Sequence, residues 1–451
     1  MKIVIIGLGI VGKTILKKLV EENHTITIID ENKKKIEDLI ERFDVLGIVG
    51  NGASMDIQKD AGVKDADVVI SLTTSDELNI FACMVAKKLG AKNTIARVRN
   101  HDYVKQVEEM KDFLGISMLV NPEKDTANEI FNLISLPSIV QVDNFAKGKV
   151  LLVEVIATKG CLLIGESLIS LSKKFDTKVL ICAVQRGEEV YIPTGDFVIE
   201  EGDKIHFTSD VHLLSEFLSE VNLIQSPLKN VMIVGGGKTS VYLAEQLSKR
   251  RYKVKLIEKD KEKAEELAGL LPKVTVVNGN GTRQEVLIEE GIEFMDAFVP
   301  LTSVDEENMV VSLFANKMKV KKTITQIKDD GLISMLDELG MYNNVSTKNV
   351  VADRVASYIR ALENEKGSNV LTLSHLVNDR VEALEFIART IEDIYDKPLS
   401  ELKIKKNCLI ACIIRGNQVI IPDGKSYIQQ GDNVIVVTTH RNFDDLTDVF
   451  E

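Results

Sequence analysis

Residues 1–30, MKIVIIGLGIVGKTILKKLVEENHTITIID, decide the fold. An apolar strand runs into Gly7-Leu8-Gly9-Ile10-Val11-Gly12, a helical pattern follows, and a second apolar strand ends on Asp30. That order is a βαβ unit carrying a dinucleotide-binding fingerprint. Gly7 permits the tight turn, Gly9 lets backbone N–H groups approach a pyrophosphate, and Gly12 lets helix and strand pack closely. The helix N-terminus turns its partial positive charge toward phosphates. Asp30, at the tip of the second strand, is placed to accept ribose hydroxyls and to repel a 2′-phosphate.

Strand and helix patterns go on alternating, as in a parallel doubly wound sheet. Helices are expected over residues 32–42, 55–61 and 76–89, and strands over 45–49, 67–71, 94–98 and 118–120. Their continuous apolar runs fit strands buried on both faces. Pro122 ends the sheet, and a helix is expected over 125–134. From about residue 142 the pattern changes to short β runs at 151–156, 179–184, 190–192 and 204–208, which read as a small α+β module.

The plan then restarts. Asn230-Val231-Met232-Ile233-Val234 leads into Gly235-Gly236-Gly237, and Glu258 falls where Asp30 did. Gly279-Asn280-Gly281 repeats Gly50-Asn51-Gly52, and Leu301-Thr302-Ser303 with Asp305, Glu306 and Asn308 repeats Leu72-Thr73-Thr74 with Asp76, Glu77 and Asn79. The small module recurs through Arg415-Gly416 and Gln430-Gly431-Asp432, matching Arg186-Gly187 and Glu201-Gly202-Asp203. The fold class is therefore α/β, a tandem duplication of a Rossmann-like doubly wound domain, each copy followed by a small α+β domain. The expected domains are 1–121, 140–223, 228–347 and 369–451, with linkers near 222–229 and 364–369.

Composition narrows the function. The 451 residues carry a net charge of −12, with the acids spread along the chain and no basic stripe interleaved with aromatics, which argues against a nucleic-acid partner. No apolar run approaches the ~18 residues of a membrane span, and the opening strand reads as core and not as a cleaved signal. Cys83, Cys161, Cys182, Cys408 and Cys412 lie mostly in apolar segments, as buried free thiols would in a reducing cytosol. Cys408 and Cys412 share one expected strand, and no further Cys or His has ligand spacing.

In the first copy, Gly7, Leu8, Gly9, Ile10, Val11 and Gly12 are the phosphate loop and Asp30 the ribose acid. Asn51, Gly52, Thr73 and Thr74 fall at the carboxyl ends of strands three and four, the crevice such sheets use for ligands. Arg97 at the end of strand five offers bidentate hydrogen bonds to phosphate. In the second copy the corresponding set is Gly235, Gly236, Gly237, Lys238, Thr239, Glu258, Asn280, Gly281, Thr302 and Ser303. There Ser240 replaces the third glycine and Gln326 stands where Arg97 would, so weaker or different nucleotide binding is expected. Gly237-Lys238-Thr239 does not complete a phosphate-binding P-loop, because position 232, which that motif needs as glycine, is Met232. A dehydrogenase needs an acid/base beside the hydride carbon. The six histidines (His24, His101, His206, His212, His375, His440) share no position between the copies and read as surface or structural residues. No catalytic residue and no metal ligand is assigned.

The series GLGIVG, an acid at the second strand end, GNG, LTTSDE and IARVR, repeated along essentially the whole chain, resembles the RCK (regulator of potassium conductance) family in its double-copy bacterial form. The resemblance implies a non-enzymatic regulatory subunit that binds NAD(H), with ATP/ADP as competing regulatory nucleotides, and gates an integral-membrane potassium transporter of the Trk/Ktr type. It implies a homo-oligomer, a ring of four chains, at the cytoplasmic face of the membrane. The alternatives left open are an NAD-dependent oxidoreductase with a duplicated cofactor domain, against which the acid/base-poor small module speaks, and a stand-alone nucleotide sensor acting on some other transporter or on a soluble partner.

Overall fold

The opening strand, Lys2–Ile6, is buried from Ile3 to Ile6, which is why it reads as an unbroken apolar run. The computed structural model describes residues 1–135, 139–175, 179–210, 213–223, 228–365, 370–377, 380–389, 394–441, 443 and 445–451. The expected linkers fall partly at 224–227 and 366–369, outside the described residues. Two units form, one from Met1–Ser135 with Leu228–Ile359 and one from Leu136–Pro227 with Arg360–Glu451.

In the first unit, the first lobe places six parallel strands in the order Leu46–Val49, Thr25–Asp30, Lys2–Ile6, Val68–Ser71, Asn93–Arg97, Met118–Val120. The strand order reverses between the first and fourth strands, so the glycine loop and residues 72–75 face one another across that gap. Local sequence sets the helix ends. Ser75 caps helix Asp76–Leu89 by accepting from the Leu78 N–H, acids occupy its first turn and lysines its last, and Gly90 at φ 121° ends it. The helix expected over 125–134 begins earlier, at Pro122, because proline suits the first helical position, where no N–H is needed.

Helix Pro122–Ser135 sends Ala127, Ile130, Leu133 and Ile134 into the core of the second lobe, against Leu243, Ala244 and Leu247. Burying each of the larger side chains stabilises this packing by about 1.5–3 kcal/mol. The matching helix of the second copy, Thr347–Glu365, buries Val351, Val355 and Ile359, and its Asp353 accepts from Lys18 of the first lobe. The two lobes are thus joined through their crossover helices, with Arg354 paired to Asp125 and Thr126 Oγ1 donating to Thr347 Oγ1 at 3.0 Å.

The second lobe repeats the order Thr275–Asn278, Lys253–Glu258, Asn230–Val234, Ala297–Pro300, Lys322–Thr323. Its fifth strand is interrupted. Ile324 N donates to Phe298 O at 3.0 Å, but the next rung would need an N–H from Pro300, which has none. The chain resumes as Thr325–Gln326, paired with Asn344–Val345 in a separate ladder.

In the second unit each small module is a five-stranded antiparallel sheet of the same order, as the α+β reading expects. The repeated Arg-Gly and Gly-Asp motifs are one structural device. Arg186 Nε and Nη2 each donate to Asp203 at 2.8 Å, and Arg415 clasps Asp432 in the same way, with both aspartates buried. The modules share a core that holds Phe145, Leu152 and Cys182 of one with Ala383, Cys412 and Ile435 of the other. Burial pushes the Cys83, Cys182 and Cys412 thiols up to about 12, while Cys408 is half-buried beside Thr438.

Candidate functional site

The first crevice opens over the glycine loop. Gly7 sits at φ 91°, and a Cβ there would meet Thr73 N at 2.8 Å. A Cβ on Gly12 would meet Gly7 O at 2.3 Å, which is the close helix–strand packing read from the sequence. Before Gly9 the space is open, and helix Ile10–Glu21 starts there with no side-chain cap, so its first N–H groups are free to face an anion.

Asp30 has a role the sequence did not disclose. Its Oδ2 accepts from the Leu8 N–H at 2.8 Å and its Oδ1 from the Asn32 N–H at 2.9 Å, with Lys35 Nζ 3.6 Å away. The carboxylate therefore braces the glycine loop and keeps lone pairs for hydroxyl donors. On the far side, the fully buried Asn79 accepts from both Thr73 N–H, at 2.7 Å, and Thr73 Oγ1, at 2.8 Å, and its amide donates to Thr73 O and Arg97 O. Arg97 donates to Thr73 O, while its Nε is buried and meets no acceptor among the described residues. Burial and the neighbouring Arg99 push this guanidinium below its usual range, against the pull of Asp76 and Glu123. Asn51 makes an Asx turn, accepting from Ala53 N–H at 2.9 Å, and Gly52 lies so close to Ile6 that a Cβ would meet its Cγ2 at 2.1 Å. Thr74 is exposed on the rim.

The second crevice is the same construction with substituted parts. Glu258 Oε2 accepts from the Gly236 N–H at 2.7 Å and Oε1 from the Asp260 N–H at 2.9 Å, with Lys263 Nζ 3.6 Å away. Burial acts to raise this carboxyl, but those two N–H groups and Lys263 outweigh it and hold it below the usual range. Glutamate is one methylene longer than Asp30, and the residue opposite has shrunk from Leu8 to Gly236, where a Cβ would lie 2.7 Å from Glu258 Oε2. Ser240 supplies the side chain that Gly12 lacks and donates it to Gly235 O, so the turn survives. Asn308 holds Thr302 as Asn79 holds Thr73, with 3.0 and 2.8 Å bonds to its N–H and Oγ1. Asn280 repeats the Asx turn, accepting from Thr282 N–H at 3.0 Å. Gly237 again faces open space, Lys238 is exposed at the first position of helix Lys238–Lys249, Thr239 is buried behind it, and Gly281 packs on Val234. Gln326 turns away to donate to Thr347 Oγ1 at 2.8 Å, and Ser303 lies on the exposed rim.

The structure thus brings each predicted set to one end of its sheet. The braces Asn79 and Asn308 were missed as site residues, although their recurrence at one offset was the signal. So were Asp76, which fastens the Arg99 and Asn100 N–H groups at 2.8 Å, and Glu123, which takes Arg99 Nε at 2.6 Å. The parts fit an adenosine phosphate or a dinucleotide: open backbone N–H groups, a carboxylate with spare lone pairs and an unsatisfied buried guanidinium nitrogen. Of the histidines, His206 is buried in the small-module sheet and His440 bonds Lys406 O, both in the second unit; His24 lies by Glu22 at the opposite end of the first strand from the crevice. Among the described residues no helix is long and apolar enough to cross a membrane.

The TrkA-N domain family matches residues 3–122 and 231–347, and the TrkA-C domain family matches 152–222 and 392–451. Trk system potassium uptake protein TrkA of Haemophilus influenzae is 31% identical, over 100% of this chain and 99% of its own length. TrkA homolog 1 of Methanosarcina mazei is 32% identical, over 97% of each chain. Among solved structures, the GsuK channel superposes with a TM-score of 0.64 at 16% identity, covering 97% of this chain and 76% of its own. The same channel bound to NAD gives 0.63, also at 16% identity and with the same coverage, a likeness of fold.

Proposed function

This chain belongs to the TrkA family, and from that premise we propose that it is a cytoplasmic regulatory subunit of a potassium uptake system. It binds NAD(H) and adenosine phosphates in its glycine-loop crevices and sets the activity of an integral-membrane transporter of the Trk/Ktr type. The observation that carries the reading is the duplicated loop brace, in which the acid ending the second strand fastens the glycine loop and stays available to a ribose. Two copies of a binding device joined through their crossover helices suit a sensor. Relatives named for potassium uptake, and a channel of the same fold solved with NAD and with ADP, support it.

In this account the loop N–H groups of residues 9–11 hold a pyrophosphate, Asp30 holds the adenosine ribose, Asn51-Gly52 walls that side, and Thr73-Thr74 with Arg97 meet the distal group. Gly235 to Thr239, Glu258, Asn280-Gly281 and Thr302-Ser303 do the same in the second lobe. The nucleotide supplies charge and contact surface, not chemistry. It biases lobe arrangement by its differential affinity for two states of a four-chain ring, and the ring acts on the transporter's gate. The test is titration of the purified chain with NADH and ATP beside a hydride acceptor. Saturable binding without NADH oxidation is expected; steady oxidation would favour the oxidoreductase alternative.

A further inference from the structure

The two crevices differ by one cationic side chain at each end, Lys238 at the loop of the second and Arg97 at the distal end of the first. The sheet order sets out a direction along each site: ribose acid at the second strand, phosphate loop at the first, distal group over the fourth and fifth. In the first lobe the first helical position is the apolar Ile10, 67% exposed, and the distal end holds Arg97 with its unsatisfied Nε. In the second lobe Lys238 replaces Ile10 at the loop end. At the distal end Gln326 replaces Arg97 and is withdrawn into the contact between crossover helices, bonded to Thr347 Oγ1, which also accepts from Thr126 of the first lobe.

What remains at that distal end is an open hollow lined by Ser303, Asp305, Glu306, Lys328 and Asp329. Lys328 Nζ donates to Ser303 O at 2.8 Å and lies 3.9 Å from Asp305 Oδ1, so its charge is partly offset by that carboxylate. In the first lobe Asp76 and Glu77 stand where Asp305 and Glu306 do, and Arg99 is paired with Glu123 while Arg97 stays in addition; in the second, Lys348 at the position of Glu123 is paired to Asp330, and Asp329 stands at the position of Asn100.

Resting on the nucleotide reading above, we propose that the second crevice selects ligands whose negative charge ends at the pyrophosphate, a nucleoside diphosphate or a dinucleotide, and rejects nucleoside triphosphates. Lys238 strengthens the hold at the loop, and a γ-phosphate carried past it finds no counterpart of Arg97 and meets one further carboxylate, Asp329, beside the acids that both lobes share. The first crevice accepts both classes.

Calorimetric titration of the full chain with ADP, NAD and ATP tests this. ADP and NAD are expected to fill two sites per chain, and ATP one, with any second ATP event weaker by about tenfold or more, the size of one lost charge-assisted contact. Glu306→Lys, at an exposed position, should restore a second ATP event by about tenfold and change ADP little. Lys238→Ala should weaken the second ADP event and leave the first. ATP filling two equal sites in the wild-type chain overturns the selectivity, as does a Glu306→Lys chain that gains nothing for ATP. ADP filling one site per chain also overturns it while leaving the first crevice as a nucleotide site. Failure of all three ligands to bind overturns the underlying reading, and this proposal with it.

Discussion

Replacing Gly236 by alanine puts the exchange of parts between the two loops to a quantitative test. The new Cβ would lie 2.4 Å from Leu267 Cδ1 and 2.7 Å from Glu258 Oε2, both well inside contact distance, and Leu267 is itself buried. Overpacking of this kind costs about 1–3 kcal/mol. If the carboxylate gives way instead, the Gly236 N–H loses a charge-assisted bond of about 1.5–3 kcal/mol. Glu258→Asp alone withdraws the acceptor from the same N–H and should cost about 1–3 kcal/mol. The first lobe tolerates Leu8 against Asp30, with the N–H bond intact at 2.8 Å, so shortening the acid makes room for a side chain. The double variant Gly236→Ala/Glu258→Asp should therefore be more stable than the sum of the singles by about 1–2 kcal/mol. Hydrogen exchange of second-lobe peptides reads this locally, which suits a chain of several domains better than one melting curve. A neutral Gly236→Ala, or a double variant equal to the sum of its parents, would refute the argument.

Asp30→Ala should weaken NADH binding and also loosen the empty loop by about 1–3 kcal/mol, because the Leu8 N–H loses its acceptor; unchanged exchange at residues 7–10 would remove the brace. Arg97→Gln should lower ATP affinity at the first crevice by about tenfold or more, and equal affinities before and after would leave Arg97 only as a prop for Thr73 O. Burial, reinforced by Lys204, pushes His206 from 6.5 down to about 3, although Glu154 lies 3.9 Å from its Nε2. Its folded pKa lies below its unfolded one, so the unfolded chain takes up the proton first. Stability should fall as pH drops from about 6.5 toward 3, by up to about 1.4 kcal/mol per pH unit. His206→Asn should flatten that slope, and an unchanged slope would place the acid sensitivity elsewhere.

Much of the lobe was legible because its signals are local or periodic. The strand–glycine–helix order of residues 1–30 and its recurrence at 230–258 led directly to the two parallel Rossmann-like sheets found. What escaped depends on partners far apart in sequence. Nothing local says that Asp30 reaches back 22 residues to the Leu8 N–H, or that a glutamate may replace it once Gly236 opens the space. The amphipathic pattern of helix Pro122–Ser135 announces a buried face without saying that the face belongs to the other lobe's core. Gln326 read as a lost phosphate contact; the structure gives it a new partner, Thr347. The Arg-Gly and Gly-Asp repeats of the small modules read only as markers of duplication until each pair closed into a buried clasp.

The most direct test of the regulatory account is potassium flux through a Trk-type membrane transporter in vesicles, with the purified chain added and NADH, ADP or ATP varied. Nucleotide is expected to change the flux only when the chain is present, and a chain carrying Asp30→Ala should shift the response to higher nucleotide concentration. Flux that ignores nucleotide in the presence of a chain shown to bind it would contradict the account.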